Sequence, residues 1–219
     1  QVKIFEESLD SFKLKFDNRI IKQDNDNINE IGHVALQHLK DCQSGSNTFC
    51  TWGIKGLDSY IYLRPHCCYF IGALPGVGKT AFAISCIIGQ LREGKNVALW
   101  CGEMTATQIY LRFLSQIAGV KVSSMETKKS LTTGEFERVS KAVKEMSKYK
   151  KTLHLRCGED LEMHEISSWI KKIHVHNPLD CVWLDYFTDI QPTIKEGFNG
   201  NRYEAMADVA RDIKTLKKE

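Results

Sequence analysis

Eight consecutive residues carry the side chains and backbone freedom needed to bind a nucleotide: Ala73, Leu74, Pro75, Gly76, Val77, Gly78, Lys79 and Thr80. Glycine lacks a Cβ and tolerates a positive φ, so N–H groups around Gly76 and Gly78 can close around phosphate oxygens at a helix N-terminus. Lys79 adds a mobile positive charge for the β and γ phosphates, and the Thr80 hydroxyl can bind a magnesium ion that bridges them. We predict that these residues and Ala81 bind ATP, with Thr80 also a ligand of Mg²⁺.

The elements that would position this loop follow from the pattern of apolar residues around it. Residues 67–71 are short, apolar and aromatic, which predicts a buried parallel strand, and residues 81–91 are good helix formers. Downstream, strand and helix patterns alternate, which predicts an α/β fold with a mainly parallel sheet and helices on both faces. The predicted strands are 96–101, 152–156 and 180–184, and the predicted helices lie near 105–118, 132–148, 160–174 and 202–218.

Two acidic residues follow predicted strands, at the sheet edge where ligands bind in such folds. Glu103 follows the strand at 96–101, and Asp185 follows the strand at 180–184. A carboxylate in the position of Asp185 suits a Mg²⁺ site, and one in the position of Glu103 suits the orientation or deprotonation of an attacking water. The alternatives are a turn or N-cap residue for Asp185 and a surface carboxylate before a helix for Glu103.

Length and composition favour an enzyme-like domain. The chain has 219 residues, 42% of them hydrophobic, so it can bury a sizeable core, and its net charge of +3 creates no global field for nucleic acid. No signal peptide or long apolar span is visible, so we expect an intracellular, soluble protein without membrane contact. The eight cysteines form no C-x-x-C pair, which favours thiols over zinc ligands or disulfides.

The residues before the core differ in pattern from the rest of the chain. Residues 23–27 are polar and turn-prone, and apolar residues then recur at helical spacing over 28–42. This pattern predicts a linker region, residues 1–45, with one amphipathic helix. Its apolar stripe has two alternative partners, a neighbouring subunit or the chain's own domain.

Four segments resemble, in order and spacing, the motifs of the RecA-like motor domain of DnaB-type replicative helicases: residues 73–80, 102–105, 184–187 and 201–204. That family accepts alanine at the first loop position, so Ala73 agrees with it. Residues 52–58 resemble the segment that leads into the motor domain, and helix 28–42 resembles the linker helix that docks on the adjacent subunit. The resemblance implies a RecA-like P-loop NTPase over residues 46–219.

The resemblance also implies roles, position by position. Lys79 and Thr80 would contact phosphate and Mg²⁺, Glu103 would activate water, and Asp185 would be the second acid linked to the metal. Arg112, nine residues beyond Glu103, matches an arginine that approaches the nucleotide base. An exposed helix arginine without such a role is the alternative for Arg112.

The activity implied is that of an ATP-hydrolysing DNA helicase, a hexameric ring that translocates on single-stranded DNA and unwinds duplex. Subunits would meet through the linker helix and through ATP sites between them. Lys195 and Arg202, in or beside the loop after Asp185, would touch DNA phosphates, with solvated loop charges as the alternative. Primase and a helicase loader are further partners that the resemblance suggests, in the cytoplasm of a bacterial or phage-infected cell.

The family's motor domain continues beyond the motifs found here, so we expect the C-terminal part, with its arginine finger, to be missing from this chain. Two alternatives share the loop and the acidic positions. One is a RecA-like recombinase or circadian-type ATPase, against which residues 104–105 and 201–204 argue. The other is a non-catalytic, nucleotide-gated assembly or loader protein.

Overall fold

The structure of the chain, a computed structural model, describes residues 32–33, 36, 39–40, 50–61, 63–64, 67–126, 131–158, 161–186, 190 and 202–216. The chain divides into two compact units, Gln1–Thr48 and Phe49–Lys218. The described residues of the first unit lie within the predicted amphipathic helix and are helical, and Leu36 and Leu39 are exposed there.

The second unit alternates helices and strands. Its elements in chain order are α1 (Lys55–Asp58), α2 (Lys79–Arg92), β1 (Val97–Cys101), α3 (Ala106–Ala118), α4 (Val122–Glu126), α5 (Thr133–Ser147), β2 (Leu153–Cys157), α6 (Met163–His176), β3 (Cys181–Asp185) and α7 (Arg202–Leu216). The helices predicted from the sequence are confirmed with shifts of up to three residues at their ends, and the tail of the last one lies outside the described residues. The short helices α1 and α4 were not predicted.

The strands form a parallel sheet in the order β2-β1-β3. In its register, Val97 of β1 lies beside Leu153 and Cys181, and Cys101 lies beside Cys157 and Asp185. All three strands after the loop are therefore confirmed within one residue, and their carboxyl ends lie at one edge of the sheet.

Each face of the sheet packs against helices. On one face, Val97, Leu99 and Cys101 of β1 share a core with apolar residues of α2, α3 and α5. On the other face, Trp100 shares a core with apolar residues of β3, α6 and α7. This alternation of side chains along β1 confirms an α/β fold with helices on both faces of the sheet.

The prediction of a buried strand over residues 67–71 is wrong. No strand forms there among the described residues, and Tyr69, Phe70 and Ile71 are exposed. The segment instead turns back on itself: Cys67 N donates to Arg64 O at 3.3 Å, and Arg64 N donates to the Tyr69 hydroxyl at 2.9 Å. An apolar run becomes a strand only where its backbone groups pair with a neighbouring strand, and the sheet of the described residues, β2-β1-β3, does not include this segment.

None of the helices in the described part of the chain is both long enough and apolar enough to cross a membrane.

Candidate functional site

The glycine-rich loop leads directly into α2. Gly76 has φ 78° and Gly78 has φ 105°, both in the left-handed region that favours glycine. A Cβ on Gly76 would meet nothing within 4 Å, so the backbone angle, and not crowding, requires glycine at this position. The residues of the loop from Ala73 to Gly78 are exposed, and Lys79 is the first helical residue. The predicted phosphate-binding loop is thus an exposed turn at the start of a 14-residue helix.

The start of α2 differs from the starts of α3 and α5 in the capping of its backbone N–H groups. Among the described residues no side chain caps α2, whose N-cap residue, Gly78, has none of its own. Thr105 caps α3 by accepting a hydrogen bond from Gln108 N, and Thr132 caps α5 by accepting one from Glu135 N. Because no side chain occupies the first-turn N–H groups of α2, they and the positive end of the helix dipole are available to an external anion.

The ammonium group of Lys79 lies across the loop. Its Nζ donates to Ala73 O at 2.9 Å and to Leu74 O at 3.4 Å. The positive charge therefore lies against the loop whose backbone would surround a phosphate. A glycine-rich turn that leads into an uncapped helix start, with an ammonium beside it, fits the phosphates of a nucleotide.

The two carboxylates predicted at the sheet edge come from neighbouring strands. Asp185 ends β3 beside Cys101, and Gly102 N donates to Asp185 O at 2.9 Å, so Glu103 follows one residue after this contact. Burial raises the pKa of the Cys101 thiol, and the charges of Asp185 and Glu103 add to that rise. Both carboxylates thus lie close enough to influence one thiol at the carboxyl edge of the sheet.

The oxygen ligands offered by these residues fit magnesium. Thr80 lies half-buried in the first turn of α2, and Asp185 is half-buried at the end of β3. No cluster of three or more His, Cys, Asp or Glu side chains able to hold a metal occurs among the described residues. A cation held by few protein oxygens together with phosphate oxygens and water is the usual arrangement for Mg²⁺.

A side chain of α3 joins that helix to the first turns of α2. Gln116 Nε2 donates to Ala81 O at 2.7 Å, and Ser85 Oγ donates to Gln116 Oε1 at 2.8 Å. Arg112 lies one turn before Gln116, on the same side of α3, and is half-buried. The predicted base-contacting residue is therefore on the face of α3 that meets the phosphate-loop helix.

The two residues predicted to contact DNA lie at or beyond the edge of the described part of the chain. Lys195 lies outside the described residues. Arg202 is the first residue of α7, and its side chain is outside the described part.

One residue that the sequence reasoning missed fixes β3 against the segment that leads into the domain. Gln90 in α2 is fully buried; its Nε2 donates to Thr51 O at 2.6 Å, and its Oε1 accepts from Trp183 Nε1 at 3.0 Å. Trp183 lies two residues before Asp185, so this amide also positions the acidic end of β3. The available signal was a glutamine within the apolar spacing of α2, where an amide must find buried partners.

Comparison with known proteins agrees with this geometry. A family model described as DnaB-like helicase C terminal domain matches residues 51–219. The replicative DNA helicase DnaB of Helicobacter pylori (strain ATCC 700392 / 26695) is 25% identical over 198 residues, covering 88% of this chain and 39% of that protein. The same helicase of Haemophilus influenzae is 28% identical over 175 residues, covering 78% of this chain and 36% of that protein. In Buchnera aphidicola subsp. Baizongia pistaciae it is 30% identical over 160 residues, covering 72% and 33%.

Two solved structures resemble the fold. One is a DnaB-like replicative helicase, described together with its interactions with primase, with a TM-score of 0.75 and 19% identity over 95% of this chain and 49% of that chain. The other is an ATPase domain, with a TM-score of 0.74 and 20% identity over 89% of this chain and 68% of that chain. Both likenesses confirm the predicted RecA-like ATPase fold. The chain spans between a third and two fifths of the length of the curated relatives named above.

Proposed function

Because this chain belongs to the DnaB-like helicase C-terminal domain family, we propose that it carries the ATP-hydrolysing motor of a replicative DNA helicase. The observation that carries the proposal is the start of α2. There an exposed glycine loop, first-turn N–H groups free of any capping side chain and the Lys79 ammonium are next to one another. This combination binds the phosphates of a nucleotide.

In the proposed site, the loop from Ala73 to Gly78 and the first turn with Ala81 surround the phosphates, and Lys79 leaves its two carbonyl partners to neutralise the β and γ phosphates. Thr80 and Asp185 would hold Mg²⁺, which when bound offsets the negative charge of the phosphates. Arg112 approaches the base from α3. Lys79 exchanges hydrogen bonds to carbonyls for stronger bonds to anionic oxygen, which favours the bound form.

The carboxylate of Glu103 has the role of general base. It is exposed at the edge of the sheet, where a water can reach it, and in the proposal that water lies beside the γ phosphate. Glu103 accepts a proton from that water as the water oxygen bonds to the γ phosphorus, and the bond from phosphorus to the bridging oxygen of ADP breaks. Asp185, on the neighbouring strand, would hold Mg²⁺ and takes no part in this proton transfer.

The assembly and the substrate are part of the same proposal. Residues 1–45 form the linker region and residues 46–219 the motor domain, and the amphipathic helix 28–42 docks on the next subunit of a hexameric ring. Its exposed Leu36 and Leu39 support this docking. Single-stranded DNA passes through the ring, with Lys195 and Arg202 on its phosphates, so binding weakens as salt rises. Primase and a helicase loader are proposed partners, in the cytoplasm of a bacterial or phage-infected cell.

The test is the ATPase rate of the longest natural form of the protein, with and without single-stranded DNA, over a range of protein concentration and salt. We expect stimulation by DNA that grows with assembly and falls with salt. Glu103→Gln should keep nucleotide binding while turnover drops by on the order of a hundredfold or more. ATP binding without stimulated turnover would overturn the helicase proposal and favour an assembly protein. Unchanged turnover in Glu103→Gln would remove that residue from the mechanism.

A further inference from the structure

Two cysteines from distant parts of the chain meet beside Gln90. Cys50 lies just before the segment that leads into the domain, and Cys181 is the first residue of β3. The Cys181 thiol has the largest influence on the pKa of the Cys50 thiol, and the Cys50 thiol has the largest influence on the pKa of the Cys181 thiol. Both also belong to one small network: Cys50 Sγ contacts Thr51 O at 3.6 Å, and Gln90 Nε2 lies 2.6 Å from that oxygen and 3.8 Å from Cys181 Sγ. Neither thiol has a role in the proposed ATP site.

The pair is chemically unequal. The hydrogen bond from Cys181 lowers the pKa of the Cys50 thiol, and Lys95 favours the thiolate further, against burial and the charges of Asp180 and Glu93. The same hydrogen bond, followed by burial, raises the pKa of the Cys181 thiol. Cys50 is only half-buried, so a small reagent can reach it. A thiol with a lowered pKa beside a second thiol is the arrangement in which a first cysteine attacks and a second resolves.

We propose that Cys50 and Cys181 form a reversible disulfide when the protein meets a low-molecular-weight disulfide as oxidant. The Cys50 thiolate attacks one sulfur of the oxidant, which releases one small thiolate and leaves a mixed disulfide on Cys50. Cys181 then gives up its proton and attacks Cys50 Sγ, which releases the second small thiolate. The two cysteines together lose two electrons and two protons, and the oxidant is reduced to two thiols.

The other close pair of cysteines is a poorer candidate. Cys101 and Cys157 lie side by side in the register of β1 and β2, but Cys101 is fully buried. Burial raises the pKa of both thiols, that of Cys157 to about 11. Neither forms a thiolate readily, and no reagent reaches Cys101. Cys86 is fully buried too, and burial raises the pKa of its thiol to about 12.

The link would fasten the segment that leads into the domain to the strand that carries Asp185. The native structure already brings these two elements together through Gln90, so the disulfide would lock an existing contact. In a reducing compartment such a bond forms transiently, which is the behaviour of a redox-sensitive site.

The experiment exposes the native full-length protein to 2-hydroxyethyl disulfide, blocks free thiols by alkylation, and maps peptides by mass spectrometry without reduction. The uncharged reagent avoids repulsion by Glu93, which lies next to the lead-in segment and accepts a bond from Thr51 at 2.6 Å. We expect a peptide pair joined through Cys50 and Cys181 that is released by dithiothreitol. A protein in which Cys50 carries only the small mixed disulfide, or is joined to Cys67 or Cys68, would overturn the proposal.

Two variants sharpen the assignment. Cys181→Ser should stop the reaction at the mixed disulfide on Cys50, and Cys50→Ser should leave Cys181 unmodified. Cys67→Ser, at an exposed cysteine outside the pair, is the matched control and should leave the Cys50–Cys181 link at its native yield. Loss of the link in the control would contradict the pairing of Cys50 with Cys181. Modification of Cys181 without Cys50 would contradict the order of attack.

Discussion

The two ends of α2 have opposite characters. At its start, Gly78 and Lys79 belong to an exposed loop, and the described contacts of Lys79 are to two carbonyls of that same loop. Near its end, Gln90 is fully buried, and Gly89 packs against the backbone of Gly53 so closely that a methyl group would overlap the carbonyl oxygen of Gly53. One helix thus joins a surface open to a ligand with one of the most tightly packed contacts of the domain.

The difference shows how the packed end of a helix can hold a binding loop in place while the N–H groups at the other end stay open to a ligand. The end of α2 is fixed by packing against residues 51–53 and by hydrogen bonds to β3, which makes the helix a rigid support. The start is shaped by backbone angles at Gly76 and Gly78 and leaves its N–H groups for a ligand. We therefore expect changes at the start to affect ligand binding and changes at the end to affect stability.

The largest expected effect is at the start. Lys79→Ala should weaken ATP binding by on the order of a thousandfold, because charge-assisted bonds to the β and γ phosphates are lost. The free energy of unfolding should change by no more than about 0.5 kcal/mol, since the described hydrogen bonds of Lys79 stay within its own loop. Titration with a fluorescent ATP analogue and thermal denaturation measure the two quantities.

Lys141→Ala, at an exposed lysine of α5, is the control for loss of a positive charge. It should leave the affinity for ATP unchanged. Tight binding by Lys79→Ala would contradict the assignment of the phosphate loop.

At the other end, Gly89→Ala should lower the free energy of unfolding by about 3 kcal/mol. Alanine favours a helix over glycine by about 1 kcal/mol, but the added methyl group overlaps backbone atoms of Gly53, which a side-chain rotation cannot relieve. Gly53 cannot move away easily, because it lies against the backbone of Cys86, Gly89 and Gln90 and its φ is 72°. Urea denaturation measures the change.

The matched control is Gly56→Ala in α1, where an added Cβ would meet nothing within 4 Å. This variant should be as stable as the native protein or more stable, by up to about 1 kcal/mol. Equal stability of Gly89→Ala and the native protein would contradict a close backbone contact between Gly89 and Gly53.

The next effect concerns the buried amide. Gln90→Leu should lower the free energy of unfolding by about 2 kcal/mol, because Thr51 O and Trp183 Nε1 lose their partner. Gln116→Leu, which removes a glutamine that contacts the exposed start of the same helix, should cost less than about 1 kcal/mol. A double-mutant cycle between Gln90→Leu and Trp183→Phe should show a coupling of about 1 kcal/mol, and additive effects would contradict a direct bond.

The sequence predicted single strands and helices well, because a local pattern of apolar residues is enough to indicate each of them. Alternation and apolar runs located the strands that became β1, β2 and β3, and helical spacing located α3 and α5. The apolar run at 67–71 misled, because pairing depends on a neighbouring strand that a local pattern does not contain. The sheet order β2-β1-β3 was likewise not predictable from any single segment.

The site shows the same division. The loop was predicted from its glycines and its Lys-Thr pair, and Glu103 and Asp185 were predicted from their positions after the apolar strands β1 and β3. That Asp185 and Gly102 share a hydrogen bond depends on the register of β1 and β3, which only the folded structure provides. The close approach of Gly53 to Gly89 was missed for the same reason: a glycine within a helix suggests close packing, but the sequence does not name its partner.

The smallest expected effect on the free energy of unfolding is at Gly76, where the strain of the backbone angle can be measured apart from steric crowding. Gly76→Ala should lower the free energy of unfolding by about 1 kcal/mol, since φ is 78° and an added Cβ meets nothing, so only the backbone conformation is penalised. Gly72→Ala, in the same exposed segment and equally uncrowded but without a positive φ, should have no measurable effect. If nucleotide affinity falls in Gly76→Ala and not in Gly72→Ala, the left-handed turn shapes the anion site. If both variants bind nucleotide like the native protein, the N–H groups of the first turn of α2 and the ammonium of Lys79 are sufficient for binding. The anion site would then not depend on the left-handed conformation of Gly76.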